Sequence, residues 1–230
     1  MTWTDKPLYA LDCESTSTDP ETARIITVCL GYSGMRGQFG ADNWLINPGV
    51  PIPAEATKVH GITDETASVG DDPAEALEDL RLLLDGIAHR RAPVVIHNAP
   101  YDLTLLDREF RRHLGTGLPE GLIVLDTLVL FRRFDLTTGS RTLEQLAARE
   151  GIRFPAHDAE ADALASLRLL HILAARNDLL PHVDTQTLHR LQSGWYHAQA
   201  LAAHYRRAGN GDATTQPSTS WPYIVAEVTS

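Results

Sequence analysis

"LYALDCESTSTD", residues 8–19, sets a short apolar run against two carboxylates. Leu8 to Leu11 has the look of a buried strand. On a strand, residues i and i+2 project from one face, so Asp12 and Glu14 stand side by side while Cys13 points the other way. Two adjacent acids repel, and each raises the other's pKa unless a cation sits between them. A hard divalent ion, magnesium or manganese, prefers carboxylate oxygens and would relieve that repulsion. A strand running out into a solvated turn carries such acids as well, so the pair alone leaves both readings open.

Outward from this stretch the chain reads as strands first and helices later. Ile25 to Tyr32 is a β-rich run after the polar turn "STSTDPETA", and "NWLINPG" reads as a third strand closed by Pro48-Gly49. "AEALEDLRLLLDGIAHR", Ala74 to Arg90, spaces Leu77, Leu80, Leu84 and Ile87 as one helical face. "PVVIHN" is a short buried strand, and "YDLTLLDREFRRHL" a helix. "LIVLDTLVLF" is expected to be a strand, followed by helix "RTLEQLAARE" with Gly151 as its stop and the long Ala/Leu helix "AEADALASLRLLHILAARN". The order β-β-β-α-β-α-β-α-α predicts an α/β fold, a mixed sheet flanked by helices. From Pro181 the character changes: a further helix carries Leu188, Leu191, Trp195 and Leu201, "NGDATTQPSTS" is linker-like, and "WPYIVAEV" either docks back or stays loose.

Composition narrows the function. A net charge of −10 argues against coating long nucleic acid, which needs a basic stripe, but leaves room for an enzyme that grips a strand end through cations. The arginine groups His89-Arg90-Arg91, Arg111-Arg112-His113, Arg132-Arg133 and Arg206-Arg207 read as solvated helix ends, where cations are favoured. Cys13 and Cys29, the two cysteines, sit in apolar runs and suit buried hydrophobes in a reducing compartment. No apolar stretch is long enough for a membrane span, and the start of the chain lacks secretory character, so a cytoplasmic location is expected.

Two further acids keep company with the first pair. Asp102, in "VVIHNAPYDLTLLDREF", lies just beyond a buried run; alone it reads as a helix N-terminal acid favoured by the dipole. Asp162, in "FPAHDAEADALASLRLL", stands among Ala161, Ala163, Leu164 and Leu167, where an uncompensated charge is costly. His157, five residues earlier, falls in the turn before that helix. By itself it reads as a capping or surface residue.

Together, Asp12-x-Glu14, Asn98 with Tyr101-Asp102, and the His157 to Asp162 segment resemble the three exonuclease motifs of the DEDD superfamily, in the DnaQ-like branch that includes proofreading subunits of bacterial DNA polymerases. "INPGVPIPAEATKVHGIT", "LDTLVLFRR" and "RTLEQLAAREGIRFPAHDAEADA" resemble segments beside those motifs, and the likeness runs from about Leu8 to Leu173. The resemblance implies a ribonuclease H-like fold with a five-stranded mixed sheet, and release of nucleoside monophosphates from 3′ ends. It implies Asp12, Glu14, Asp102 and Asp162 as ligands of two divalent ions, Mg²⁺ or Mn²⁺. It gives His157 as the general base, in the histidine rather than the tyrosine subfamily, since position 158 is Asp158. The expected organisation is an exonuclease domain over 1–178, a helical extension over 179–208 and a linker-like tail over 209–230.

Secondary substrate-binding candidates are Ser15 and Thr16, at the position where relatives contact the terminal nucleotide, with His60 and Asn98; a turn, a loop hydrogen bond and packing are their respective alternatives. Trp195, Tyr196 and Trp221 read as anchors of the extra helix and tail rather than base-stacking platforms. The expected partner is the 3′ end of nucleic acid, single-stranded DNA first, with RNA or short oligonucleotides as the alternative; a free-standing enzyme, or one only loosely associated with a polymerase, fits better than an obligate polymerase subunit. A non-catalytic nucleic-acid- or polymerase-binding module is the rival of another class; its mark would be loss of a ligand or of the histidine, and all five residues are present.

Overall fold

The computed structural model describes residues 2–34, 38–137, 139–209 and 218–224. Five strands, β1 (Leu8–Ser15), β2 (Ile25–Ser33), β3 (Phe39–Leu45), β4 (Pro93–Ile96) and β5 (Ile123–Asp126), form one sheet in the order β3-β2-β1-β4-β5. The first three pair antiparallel, whereas β4 and β5 join in parallel, Tyr9 opposite Val94 and Val95 opposite Leu125. The helices are α1 (Ala54–His60), α2 (Asp64–Ala67), α3 (Pro73–His89), α4 (Ala99–Leu114), α5 (Thr127–Phe134), α6 (Leu143–Arg149), α7 (Ala159–Ala175) and α8 (Thr185–Gly209). This is the expected mixed five-stranded sheet of a ribonuclease H-like fold, with helices on both faces.

Strand alternation sorts the core into two layers. Leu8 and Ala10 of β1, Cys29, Val95 and Leu125 face α5, α6, α7 and α8, while Leu11, Cys13, Val28, Val94, Ile96 and Val124 face α3 and α4. Asp12 and Glu14 therefore continue the α7-facing row, so β1 extends through the acids rather than ending at Leu11. Glu14 pairs with Thr27 and Ser15 with Ile25, which leaves Ile26 as an extra residue. Such bulges re-aim a strand, and this one lies at the second carboxylate.

Three expectations change. "LIVLDTLVLF" is not one strand: it turns into α5 after Asp126, whose carboxylate accepts from the amides of Leu128 and Val129 at 2.9 and 3.3 Å and caps that helix. The third strand starts at Phe39, ahead of "NWLINPG". The loop after it holds α1 and α2; α1 buries no residue, so it shows no apolar period to read. The extra helix forms as α8, and Gln192 ties it to the sheet, accepting from the Asp126 amide at 2.7 Å and donating to the Val124 carbonyl at 2.9 Å. Of the tail, 210–217 and 225–230 lie outside the described residues. Trp221 to Ile224 dock back: Trp221 Nε1 donates to Asp126 Oδ2 at 3.4 Å, and the Ile224 amide to Thr104 Oγ1 at 3.0 Å.

Candidate active site

Three separate segments meet at the carboxyl ends of β1 and β4. A cavity of about 560 Å³ opens there, lined by Asp12, Glu14, Asp102, His157 and Asp162, with Asn98 and Tyr101 on its wall. β1 supplies Asp12 and Glu14. α4 begins at Ala99 because Asn98 takes a left-handed conformation, φ 74°, which turns the chain from β4 into the helix and brings Asp102 back over the end of β1. There Asp102 Oδ1 accepts from the Cys13 amide at 3.1 Å. α7 packs across β1 and β2 and is capped by Asp158, whose Oδ1 accepts from the Ala161 amide at 3.0 Å; Asp162 follows at the end of its first turn.

The electrostatics are those of an unbalanced anionic cluster. Burial pushes the Asp12 carboxyl well above its usual range, helped by Asp102, Asp162 and Glu14. Burial likewise lifts Asp102 well up, against the pull of its amide hydrogen bonds. Glu14 is raised to about 7 by burial and by the charges of Asp162 and Asp158, and Asp162 to about 7 mainly by burial. Ligand atoms of Glu14, His157 and Asp162 lie within 4.8 Å of one another, and Asp162 Oδ1 is buried without a hydrogen-bond partner. An orphaned anionic oxygen in a nest of oxygen donors fits a hard divalent cation.

His157 occupies the turn before α7 with φ 63°, a conformation rare for a residue with a side chain, and its amide donates to Asp162 Oδ2 at 3.1 Å. Its ring is 41% exposed, and Nε2 stands 3.5 Å from Glu144 Oε1. Glu144 of α6 had no signal in the sequence beyond being a surface helix acid. His97 was also missed: its Nε2 lies 3.0 Å from the Arg141 carbonyl and Nδ1 2.8 Å from Thr127 Oγ1. A carbonyl only accepts, so Nε2 carries the proton and the Thr127 hydroxyl donates to Nδ1. Burial holds this ring down at about 4, so it stays neutral and pins the loop before α6 to the cavity wall.

The secondary candidates separate. Ser15, Thr16 and His60 line an adjoining recess beyond Glu14 rather than the carboxylate cavity itself. Ser15 Oγ donates to the Ser17 carbonyl at 2.9 Å and touches the Tyr101 hydroxyl; Thr16 Oγ1 accepts from the Arg24 amide at 2.9 Å. His60 Nδ1 accepts from the Ile62 amide at 3.1 Å, and burial lowers its pKa. Asn98 lines the main cavity, and its amide donates to Asp126 Oδ1 at 3.1 Å. Trp195 packs edge-on against Phe134, and Trp221 lies against His189, so both serve packing. Cys13 and Cys29 are buried free thiols whose pKa burial pushes up, Cys29 to about 12.

Comparison with known proteins shows the family and the fold. The family model RNase_T, described as exonuclease, matches residues 9–170. A DNA polymerase III subunit epsilon-like protein of Rhodobacter capsulatus is 37% identical over 176 residues, 72% of this chain and 24% of that protein. DNA polymerase III subunit epsilon of Haemophilus influenzae is 36% identical over 109 residues, covering 46% and 40%. The chain thus spans well under half the length of these relatives. Among solved structures, E. coli exonuclease I in complex with a dT13 oligonucleotide superposes with a TM-score of 0.65 at 18% identity, over 75% of this chain and 41% of that one. Exonuclease X in complex with 5′-overhanging duplex DNA gives 0.57 at 18% identity, over 80% and 99%. No helix among the described residues is long and apolar enough to cross a membrane.

Proposed function

The chain belongs to the RNase_T exonuclease family, and from that premise we propose that it is a divalent-metal-dependent 3′–5′ exonuclease releasing nucleoside monophosphates from single-stranded DNA. The observation that carries the reading is the convergence of Asp12, Glu14, Asp102, His157 and Asp162 on one cavity, with a buried Asp162 oxygen left without a partner. Relatives named as polymerase III epsilon subunits favour DNA over RNA and make a polymerase the natural protein partner.

In this proposal Asp12, Glu14, Asp102 and Asp162 hold two Mg²⁺ or Mn²⁺ ions. Bound there, the ions supply positive charge to the scissile phosphate and to the leaving 3′ oxygen and ease deprotonation of the attacking water. The protein does the rest. The Cys13 amide fixes one oxygen of Asp102 and leaves the other for ligation. Asn98 and Tyr101 wall the cavity where the terminal nucleotide would lie, with Ser15, Thr16 and His60 in the adjoining recess. His157 takes the proton of the attacking water, and Glu144, 3.5 Å from its Nε2, stabilises the charged ring that results. The catalytic unit is the segment 1–178, with 179–208 as its helical extension.

The test is digestion of 5′-labelled single-stranded DNA and matched RNA with magnesium, manganese or EDTA, beside Asp12→Ala and His157→Ala. A metal-dependent ladder shortening from the 3′ end, stronger on DNA and lost in both variants, is expected. A stronger ladder on RNA would make the protein an exoribonuclease, and no shortening of either strand under any metal would leave a non-catalytic binding module.

A further inference from the structure

Beside Glu144, the cavity lining carries two arginines. Leu128 and Arg132, one helical turn apart on α5, both face it, and Arg141 lines it from the next loop. Arg141 is used internally: its guanidinium donates to the carbonyls of Asp135, Thr137 and Gly139. Arg132 differs. It makes no ion pair, cation–π contact or side-chain hydrogen bond among the described residues, although its neighbour Arg133 lies over the rings of Phe134 and Trp195.

α8 brings a further cation near Arg132. Gln192 and Gln199 mark the side of α8 that faces the sheet and α5, through the Val124 and Val129 carbonyls, and Arg206 lies one further seven-residue step along that side. Burial holds the Arg132 pKa below its usual value; the charge of Asp126 opposes this, and those of Arg141 and Arg206 add to it. Arg132, Arg141 and Arg206 repel one another in a protein of net charge −10; the Asp126 charge relieves part of this, but its carboxylate is occupied by four backbone amides and makes no ion pair with Arg132. A polyanion entering a cavity floored by carboxylates needs such an offset at its edge. A guanidinium with an open fork is suited to two phosphate oxygens.

Resting on the exonuclease reading, we propose that Arg132, reinforced by Arg206 of α8, binds the phosphodiester backbone of the substrate strand just outside the reacting nucleotide. These arginines are then a strand grip rather than solvated helix ends, and part of the grip comes from a helix beyond residues 9–170, where the family match ends. A backbone contact reads no base, so its loss weakens binding alike for all sequences and flattens the salt dependence.

The experiment compares the wild type with Arg132→Ala, Arg132→Lys, Arg206→Ala and the charge-matched surface change Arg168→Ala. Two substrates are used with Mn²⁺ over a range of salt: a labelled single-stranded oligonucleotide, and the 4-nitrophenyl ester of thymidine 5′-monophosphate, which has no upstream phosphate. Anisotropy of the fluorescent strand measures binding directly. For Arg132→Ala the expected result is a rise of about tenfold in strand KM and Kd, with a salt slope shallower by about 0.7 to 1, and a much smaller effect on the ester. Arg132→Lys recovers most of the strand affinity, Arg206→Ala shows a smaller loss, and Arg168→Ala keeps the wild-type slope. Strand KM, Kd and slope unchanged in Arg132→Ala, or an equal loss on strand and ester, would overturn the grip while the exonuclease reading stands. A wild type that cleaves neither substrate would overturn both.

Discussion

The backbone amide of His157 donates to Oδ2 of Asp162 at 3.1 Å, so the proposed base and the last proposed ligand are held as one unit by a turn with φ 63°. The bond engages one oxygen of Asp162 and leaves Oδ1 as the partnerless one. Replacement at each end should therefore separate two roles. His157→Ala is expected to lower kcat by about 10²- to 10⁴-fold, the usual worth of a positioned base, while Mn²⁺ still raises the melting temperature. Asp162→Asn keeps an acceptor for the turn but is expected to abolish both activity and the Mn²⁺-induced thermal shift. Differential scanning fluorimetry beside a kinetic assay reads both; loss of the metal shift in His157→Ala would make the histidine a ligand rather than a base.

The raised carboxylates make the metal-free protein sensitive to pH in an unusual direction. Glu14 and Asp162 sit at about 7 when folded, against ordinary values of 4.5 and 3.8. The native state thus binds protons more tightly than the unfolded chain, and its stability must fall as pH rises between roughly 4 and 7. In EDTA the melting temperature is expected to drop by at least about 4 °C from pH 5 to pH 8. Manganese should remove most of that drop, because a cation replaces the protons. A flat profile in EDTA would mean that the cluster is better solvated than its burial indicates.

Asp126 holds together two helices that carry cavity residues. Fully buried, its carboxylate accepts from the amides of Asn98 and Ala99 at the start of α4 and of Leu128 and Val129 at the start of α5. It fixes the helix that carries Asp102 to the helix that carries Arg132. Removing a buried acceptor that serves two helix starts should cost about 3 to 5 kcal/mol in Asp126→Ala. Denaturant unfolding measures this, and Asp126→Asn, retaining one acceptor oxygen, should fall between.

The acids of β1 were legible because alternation alone puts positions 12 and 14 on one face, and the bulge beyond them did not disturb that parity. Asp162 was legible because a carboxylate among alanines and leucines contradicts its own helix. His97, Glu144 and the reach of Asp126 were not: His97 and Asp126 join segments about thirty residues apart, Glu144 meets His157 from the preceding helix, and the carboxylate in "LIVLDTLVLF" reads locally as an interruption of one strand. The same ambiguity hid α5. "LDTLVLF" is apolar enough for a buried strand, and only the capping carboxylate at 126, together with the Gln192 contact from α8, makes the chain turn there.

Gln192 offers a test of whether α8 belongs to the catalytic unit mechanically. It is fully buried, accepts from the Asp126 amide at 2.7 Å and donates to the Val124 carbonyl at 2.9 Å, so it closes the outer edge of β5 as a further strand would. Gln192→Leu keeps the volume but strands an amide and a carbonyl away from water, and each such group costs about 1 to 3 kcal/mol. The expected loss is about 2 to 4 kcal/mol in chemical unfolding. Because Asp126, whose amide Gln192 holds, anchors both α4 and α5 through its carboxylate, the damage should reach the cavity, with kcat falling and strand KM rising together while Mn²⁺ still stabilises the fold. Unchanged kinetics with the full loss of stability would show α8 to be a cover for the sheet edge and nothing more.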